Sequence, residues 1–261
     1  MGSLESPPNR YLARYLSDVI TEIITKLPVE DMLPYSHYLS RVNILKTAYI
    51  EDLPTPNPNT SVREQVADLI ATSKLSVNER MEVAIIRGDA EIVKRMILLG
   101  ADSEKAMRIA ARGGHIEIVE LMLALDADDY NWAMGSAAYG GHLEIVELML
   151  SRNANNYNEA MSQASLGGHL EIVELMLSRD ADNYNEAMAS AAVGGHMEIV
   201  KLMLTLNADD YDGAMSSAAY GGHMEIVELM LTLDAEDYND AMSSAAYGGH
   251  QEIVDLLRTY L

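Results

Sequence analysis

Six histidines recur at one fixed interval, at His115, His142, His169, His196, His223 and His250. An imidazole series of this kind suggests zinc ligation. The spacing argues against it. Helices packed side by side lie ~8–10 Å apart, whereas zinc takes its ligands at about 2 Å, so neighbouring units of a repeat cannot share one ion. The histidines are read instead as turn residues bonded to backbone groups. The acidic runs Asp126-Ala127-Asp128-Asp129 and Asp234-Ala235-Glu236-Asp237 look like calcium ligands. They lack the glycine and the distal glutamate of a twelve-residue calcium loop. No Ser-His-Asp set, phosphate loop or paired-carboxylate cleft stands out. With no cysteine in the chain there is no thiolate ligand, thiol nucleophile or disulfide. The expectation is a non-enzyme with no catalytic residue, no metal and no cofactor.

The elements that carry these residues are themselves repeated. A fixed period of this size means a solenoid, in which each unit buries its apolar face only against its neighbours. In residues 156–182, Asn156 and Glu159 have the spacing of a capping box, as do Asn183 with Glu186 and Asp237 with Asp240. A short helix follows over 159–166, and its small residues admit a close neighbour. Gly167-Gly168 ends it, because glycine takes positive φ at little cost. His169 opens a second helix over 170–177, with Ile172, Val173, Leu175 and Met176 at core-facing spacing. Residues 178–182 turn into the next unit. The recurring methionines, such as Met134, Met161, Met149 and Met176, are adaptable core filler. Tyr130, Tyr157, Tyr184, Tyr211 and Tyr238 form a ladder expected to pack between units.

The phrase Ala137-Ala138-Tyr139-Gly140-Gly141-His142-Leu143-Glu144-Ile145-Val146-Glu147-Leu148-Met149-Leu150 closely resembles the ankyrin repeat, and the likeness runs over residues 78–261. It implies an all-α solenoid of stacked antiparallel helix pairs. Ankyrin units usually span about 33 residues, and the interval from His142 to His169 falls six short of that. The six missing residues fall where the family has its projecting β-turn finger, and the usual Thr-Pro-Leu-His start of the first helix is absent. The fold expected is therefore ankyrin-like but without fingers, which favours recognition by a helix face. Units this compact are similar to those of ankyrin proteins in large DNA viruses of protists. A divergent first unit lies at 76–102, with Ser76 and Glu79 as its capping box and Asp89 in the histidine slot. Gln251, Asp255 and Arg258 give the last unit the polarity of a terminal cap.

Residues 11–50 do not follow the repeat. Two helical patterns meet at Leu27-Pro28, and proline suits the first turn of the second. With the run that follows to Asn43, the segment resembles an F-box. That implies docking on a Skp1-like adaptor of a ubiquitin ligase through Leu27, Pro28, Met32 and Leu33. A plain helical cap on the first repeat is the alternative reading of the same residues. All seven prolines lie between Pro7 and Pro58, and the last three sit in a stiff linker. The expected organisation is an N-terminal helical segment over 1–52, a linker over 53–62, a divergent first repeat and cap over 63–104, and six repeats over 105–261.

Charge is uneven along the chain. Residues 113–261 hold four of the 18 basic residues and 25 of the 40 acidic ones, hence nearly all of the net −22. Such an array repels nucleic acid and suits a protein partner with a basic surface. No apolar run reaches the ~18 residues of a membrane span, and no secretory signal is visible. The expected location is the cytoplasm or nucleus of a host cell, or a virion. One slot varies while its neighbours repeat: Tyr139, Leu166, Val193, Tyr220 and Tyr247, each just before Gly-Gly. Together with Trp132, the lone tryptophan, these are the candidate partner contacts, since aromatic residues are common interface anchors. Two functions stay open. One is a non-catalytic interaction scaffold, in its sharper form a substrate receptor on a Skp1-like adaptor. The other is a structural protein that self-assembles into homo-oligomers or filaments through near-identical repeats.

Overall fold

A computed structural model describes residues 76–261, which form fourteen α-helices and no strand. They fall into seven consecutive pairs. These are α1 (Val77–Ile86) with α2 (Ala90–Leu98), α3 (Ser103–Arg112) with α4 (Ile116–Ala124), and α5 (Tyr130–Gly140) with α6 (Leu143–Ser151). Next come α7 (Tyr157–Gly167) with α8 (Leu170–Leu177), α9 (Tyr184–Gly194) with α10 (Met197–Thr205), α11 (Tyr211–Gly221) with α12 (Met224–Thr232), and α13 (Tyr238–Gly248) with α14 (Gln251–Arg258). The compact unit that holds the stack is Met81–Leu261. The expected segments 1–52 and 53–62 lie outside the described residues.

Close approach organises the stack. From α3 to α13, each first helix packs along the first helices of its neighbours and against its own second helix, while successive second helices touch far less. Composition explains the difference. First helices bury alanine and glycine at their contacts, as with Ala133, Gly135, Ala137 and Ala138 in α5, beside one methionine, Met134. Second helices bury an Ile-Val-Met set, as with Ile145, Val146 and Met149 in α6. The methionines at 107, 134, 161, 188 and 215, and at 122, 149, 176, 203 and 230, are fully buried.

Except at α14, both helices of a unit end in the left-handed region, by different means. The first stops at glycine, with Gly141 at φ 77° and Gly168 at φ 80°. The second stops at Asp126, Asn153, Asp180, Asn207 or Asp234, all at φ 63–68°. Asn and Asp are the non-glycine residues that tolerate this conformation best, and Gly100 fills the slot after α2. At Asn153 the closure is complete. Its N–H donates to the Leu150 carbonyl at 3.0 Å, and the Ala154 N–H donates to the Met149 carbonyl at 3.1 Å. Ala154 then tucks into the core and the next first helix begins at Tyr157. No finger intervenes.

The capping expectations divide. Ser76 and Glu79 form the full reciprocal box, with Ser76 N–H donating to Glu79 Oε2 at 2.9 Å and Glu79 N–H to Ser76 Oγ at 3.3 Å. Asp237 accepts from the Asp240 N–H at 3.2 Å. Asn156 and Asn183 cap no N–H of the helices they precede. The first helix expected over 159–166 starts two residues earlier, at Tyr157, and the first helices from α5 on all start at the equivalent tyrosine.

Candidate functional site

The Gly-Gly-His phrase is a clasp between repeats. His142 Nε2 lies 3.0 Å from the Arg112 carbonyl oxygen, and His169 Nε2 lies 3.0 Å from that of Tyr139. His196 reaches Leu166 at 3.1 Å and His223 reaches Val193 at 2.9 Å. A carbonyl only accepts, so Nε2–H is the donor in each. Two glycines make room for it. A Cβ on Gly167 would sit 2.3 Å from the Tyr139 oxygen, and one on Gly141 would sit 2.4 Å from His169 Cε1. The first glycine lets two backbones approach. The second combines a positive φ with space for the next ring.

The residue whose carbonyl is held is the one whose side chain varies. Arg112, Tyr139, Leu166, Val193, Tyr220 and Tyr247 occupy one slot at the C-terminal turn of successive first helices. They form a stripe down the stack. Tyr139, Leu166 and Val193 are half-buried, whereas Tyr220 is 47% and Tyr247 85% exposed. Neighbours in the stripe stack on one another: the Arg112 guanidinium lies 4.1 Å from the Tyr139 ring centroid, and the Tyr220 and Tyr247 rings lie 6.0 Å apart at 23°. Trp132, 61% exposed, sits two turns before Tyr139 on the same helix. The Arg108 guanidinium is 6.0 Å from the Trp132 ring, and Arg108 Nε is 3.9 Å from Asp129 Oδ2. Burial pushes the Asp129 carboxyl above its usual range, and Arg108 pulls it partway back. The six expected contact residues thus share the first-helix face. Arg112 occupies the same slot one period before Tyr139 and was not among the expected residues.

A second set of cross-repeat bonds holds the loop that replaces the finger. Asn131 Oδ1 accepts from the N–H groups of Asn155 at 2.7 Å and Asn156 at 3.0 Å. Asn158 takes Asp182 and Asn183 at 2.8 and 3.1 Å, and Asn185 takes Asp209 and Asp210 at 2.8 and 3.1 Å. Glu104 and Asp212 do the same with carboxylates. The ladder tyrosines, expected to pack between units, are half-buried at the start of each first helix. In the two acidic loops, Asp129 Oδ2 lies 3.9 Å from Arg108 Nε and Asp237 Oδ1 accepts from the Asp240 N–H at 3.2 Å. In the loops between them, Asp182 and Asp209 accept from the Asn158 and Asn185 amides at 3.0 Å. Among the described residues no three His, Asp or Glu side chains gather closely enough to hold a metal.

The opposite, second-helix face carries exposed carboxylates one repeat apart, from Glu117 through Glu144, Glu171, Glu198 and Glu225 to Glu252. Among the described residues no helix is long and apolar enough to cross a membrane. The adaptor residues Leu27, Pro28, Met32 and Leu33 lie outside the described residues.

A family model described as ankyrin repeats matches residues 81–160, 137–213, 160–241 and 188–260, which together cover more than half of the chain. The chain belongs to the ankyrin-repeat family. A search of curated proteins finds no match to it. Ankyrin stacks are generally interaction modules without catalytic function, and protein partners follow from membership. This ankyrin stack reaches the family's helix pairing with a short loop, pinned by a side chain of the preceding unit, in the place of a hairpin.

Proposed function

We propose that this ankyrin stack is a non-catalytic scaffold that binds a protein partner along its first-helix face, through Trp132, Tyr139, Leu166, Val193, Tyr220 and Tyr247. What supports the reading is the separation of roles within one slot. The backbone of each stripe residue from Tyr139 to Val193 is clamped by the next repeat, while the side chain is free to differ. A packing role would keep the side chain constant, as it does for the buried methionines. Rigid backbone with variable aromatic and aliphatic side chains suits recognition. The test is a displayed peptide library panned on the full chain, with Leu166→Glu/Val193→Glu as counter-screen. Binders lost in the variant support the face. No binders, or binders that ignore the change, overturn it.

The sharper form couples this target to a ubiquitin ligase through Leu27, Pro28, Met32 and Leu33, and rests on the F-box-like run around Leu27-Pro28. Binding of a purified Skp1-like adaptor that is lost in Leu27→Asp/Pro28→Ala supports it, and no binding by the wild type removes it. Near-identical repeats favour a second reading, self-assembly through the solenoid. Sedimentation over a wide range of concentration decides it: constant mass eliminates it.

A further inference from the structure

We propose that Tyr220 and Tyr247 form a seat for an arginine of the partner, so that the bound segment is basic and arginine-bearing, with its arginine at the α11/α13 end of the stripe. This deepens the first-helix reading above and rests on it. The chain itself shows what an aromatic of this face accepts. Arg112 stacks on Tyr139 from the same slot one repeat earlier, and Arg108 lies over Trp132 with the Asp129 carboxylate beside it. At the other end of the same face stand two tyrosines, stacked and exposed. Among the described residues no lysine or arginine lies over either ring.

The surroundings match a cation. Asp240 occupies the Trp132 slot on α13, two turns or ~10 Å from Tyr247. Its carboxylate is held by the Ser216 hydroxyl at 2.6 Å. Residues 202–257, which include α11 and α13, hold eleven acidic residues and no lysine or arginine, so a basic segment is drawn to this end. The cations of the face cluster instead at its start, in Lys105, Arg108 and Arg112. The face is therefore polar along its length, which orients the segment with its basic end towards α13. A planar guanidinium gains more than an ammonium from an aromatic face, because it stacks flat and is less tightly hydrated.

The test is fluorescence anisotropy of the full chain with two labelled decapeptides of alternating Gly and Arg or Gly and Lys. The proteins are wild type, Tyr220→Leu/Tyr247→Leu and Leu166→Glu/Val193→Glu. Leucine is already a stripe residue at Leu166, so the first variant keeps its fold, checked by circular dichroism. The wild type is expected to bind the arginine peptide about three- to tenfold more tightly than the lysine peptide. The difference should persist at high salt, which screens the diffuse attraction, and vanish in Tyr220→Leu/Tyr247→Leu. Equal binding of the two peptides, or an unchanged preference in that variant, overturns the arginine seat. If Leu166→Glu/Val193→Glu weakens binding while the tyrosine variant does not, the face stands and the seat falls. If neither variant changes binding, both fall.

Discussion

The imidazole of His169 donates from Nε2 to the carbonyl oxygen of Tyr139, 3.0 Å away and one repeat earlier. The same bond recurs at His142, His196 and His223. It joins three requirements of one phrase: a glycine for backbone approach, a glycine for positive φ and ring space, and a donor of fixed length. The joint also pins the backbone beneath the variable stripe.

Two glycine substitutions separate these requirements. Gly141→Ala imposes φ 77° on alanine and sets its Cβ 2.4 Å from the His169 ring. Gly249→Ala imposes φ 84° with nothing within 4 Å. The second should cost about 1–2 kcal/mol. The first should cost about 1 kcal/mol more, from the displaced histidine bond. Urea unfolding of both variants measures the difference, and equal losses would mean that the ring gives way freely.

Acid should weaken the start of the stack. Burial, with the His142 imidazole adding to it, holds the His115 imidazole below its ordinary range. The unfolded chain therefore takes up a proton first as pH falls through about 6.5. Stability is fully present above that pH and declines below it, until the folded imidazole titrates too. Melting temperature at pH 5.5 should lie below that at pH 7.5. His115→Gln should flatten the part of the slope that belongs to this residue. An unchanged slope would place the pH dependence elsewhere.

One repeat carries a removable defect. The Ser165 hydroxyl is fully buried with no hydrogen-bond partner, and the equivalent Ala138 and Ala192 are buried alanines. Ser165→Ala should stabilise the chain by about 1 kcal/mol, by removing an unsatisfied polar group. Ser162→Ala should not, since its hydroxyl pairs with Ser190 at 2.8 Å. Thermal melts of the two variants should move in opposite directions or differ by several degrees.

The pinned loop has its own test. Asn158→Ala removes the acceptor for the Asp182 and Asn183 N–H groups and should cost about 1 kcal/mol, water replacing part of the bonding. Asn158→Asp keeps an acceptor, as Asp212 does for Glu236 and Asp237. It also replaces the amide that donates to Asp182 Oδ1 at 3.0 Å with a second carboxylate, so it should recover only part of the loss at neutral pH and more of it under acid. Hydrogen exchange at residues 182 and 183 reads the effect locally.

The left-handed residue after α8 offers a substitution in both directions. Asp180→Gly should leave stability unchanged or raise it by a few tenths of a kcal/mol, whereas Asp180→Val should lower it by about 1–2 kcal/mol. Equal effects in thermal melts would mean that the left-handed conformation is not held in solution.

The residues alone determined the helix pairs, their period, the absence of the finger and the core roles of methionines such as Met134 and Met149. Those are local properties, repeated six times, so noise in one unit is corrected by the next. Assigning the histidines to backbone bonds followed from type and position. Their partners did not, because Tyr139 stands more than a full period before His169 and only the offset between neighbouring units brings them together. The same offset decided between Asn156 and Asn158. Both are short polar residues at a helix start, and the nearer rule selected Asn156 as the cap. The stacked arrangement gives the bonding to Asn158, which reaches into the next loop. Likewise the stripe was legible as a variable slot, but the stacking of Arg112 on Tyr139 and of Tyr220 on Tyr247 was not. Periodicity records which residues are equivalent. How far one unit is shifted and turned against the next is set by the summed packing of small first helices, and only the tertiary structure holds that sum.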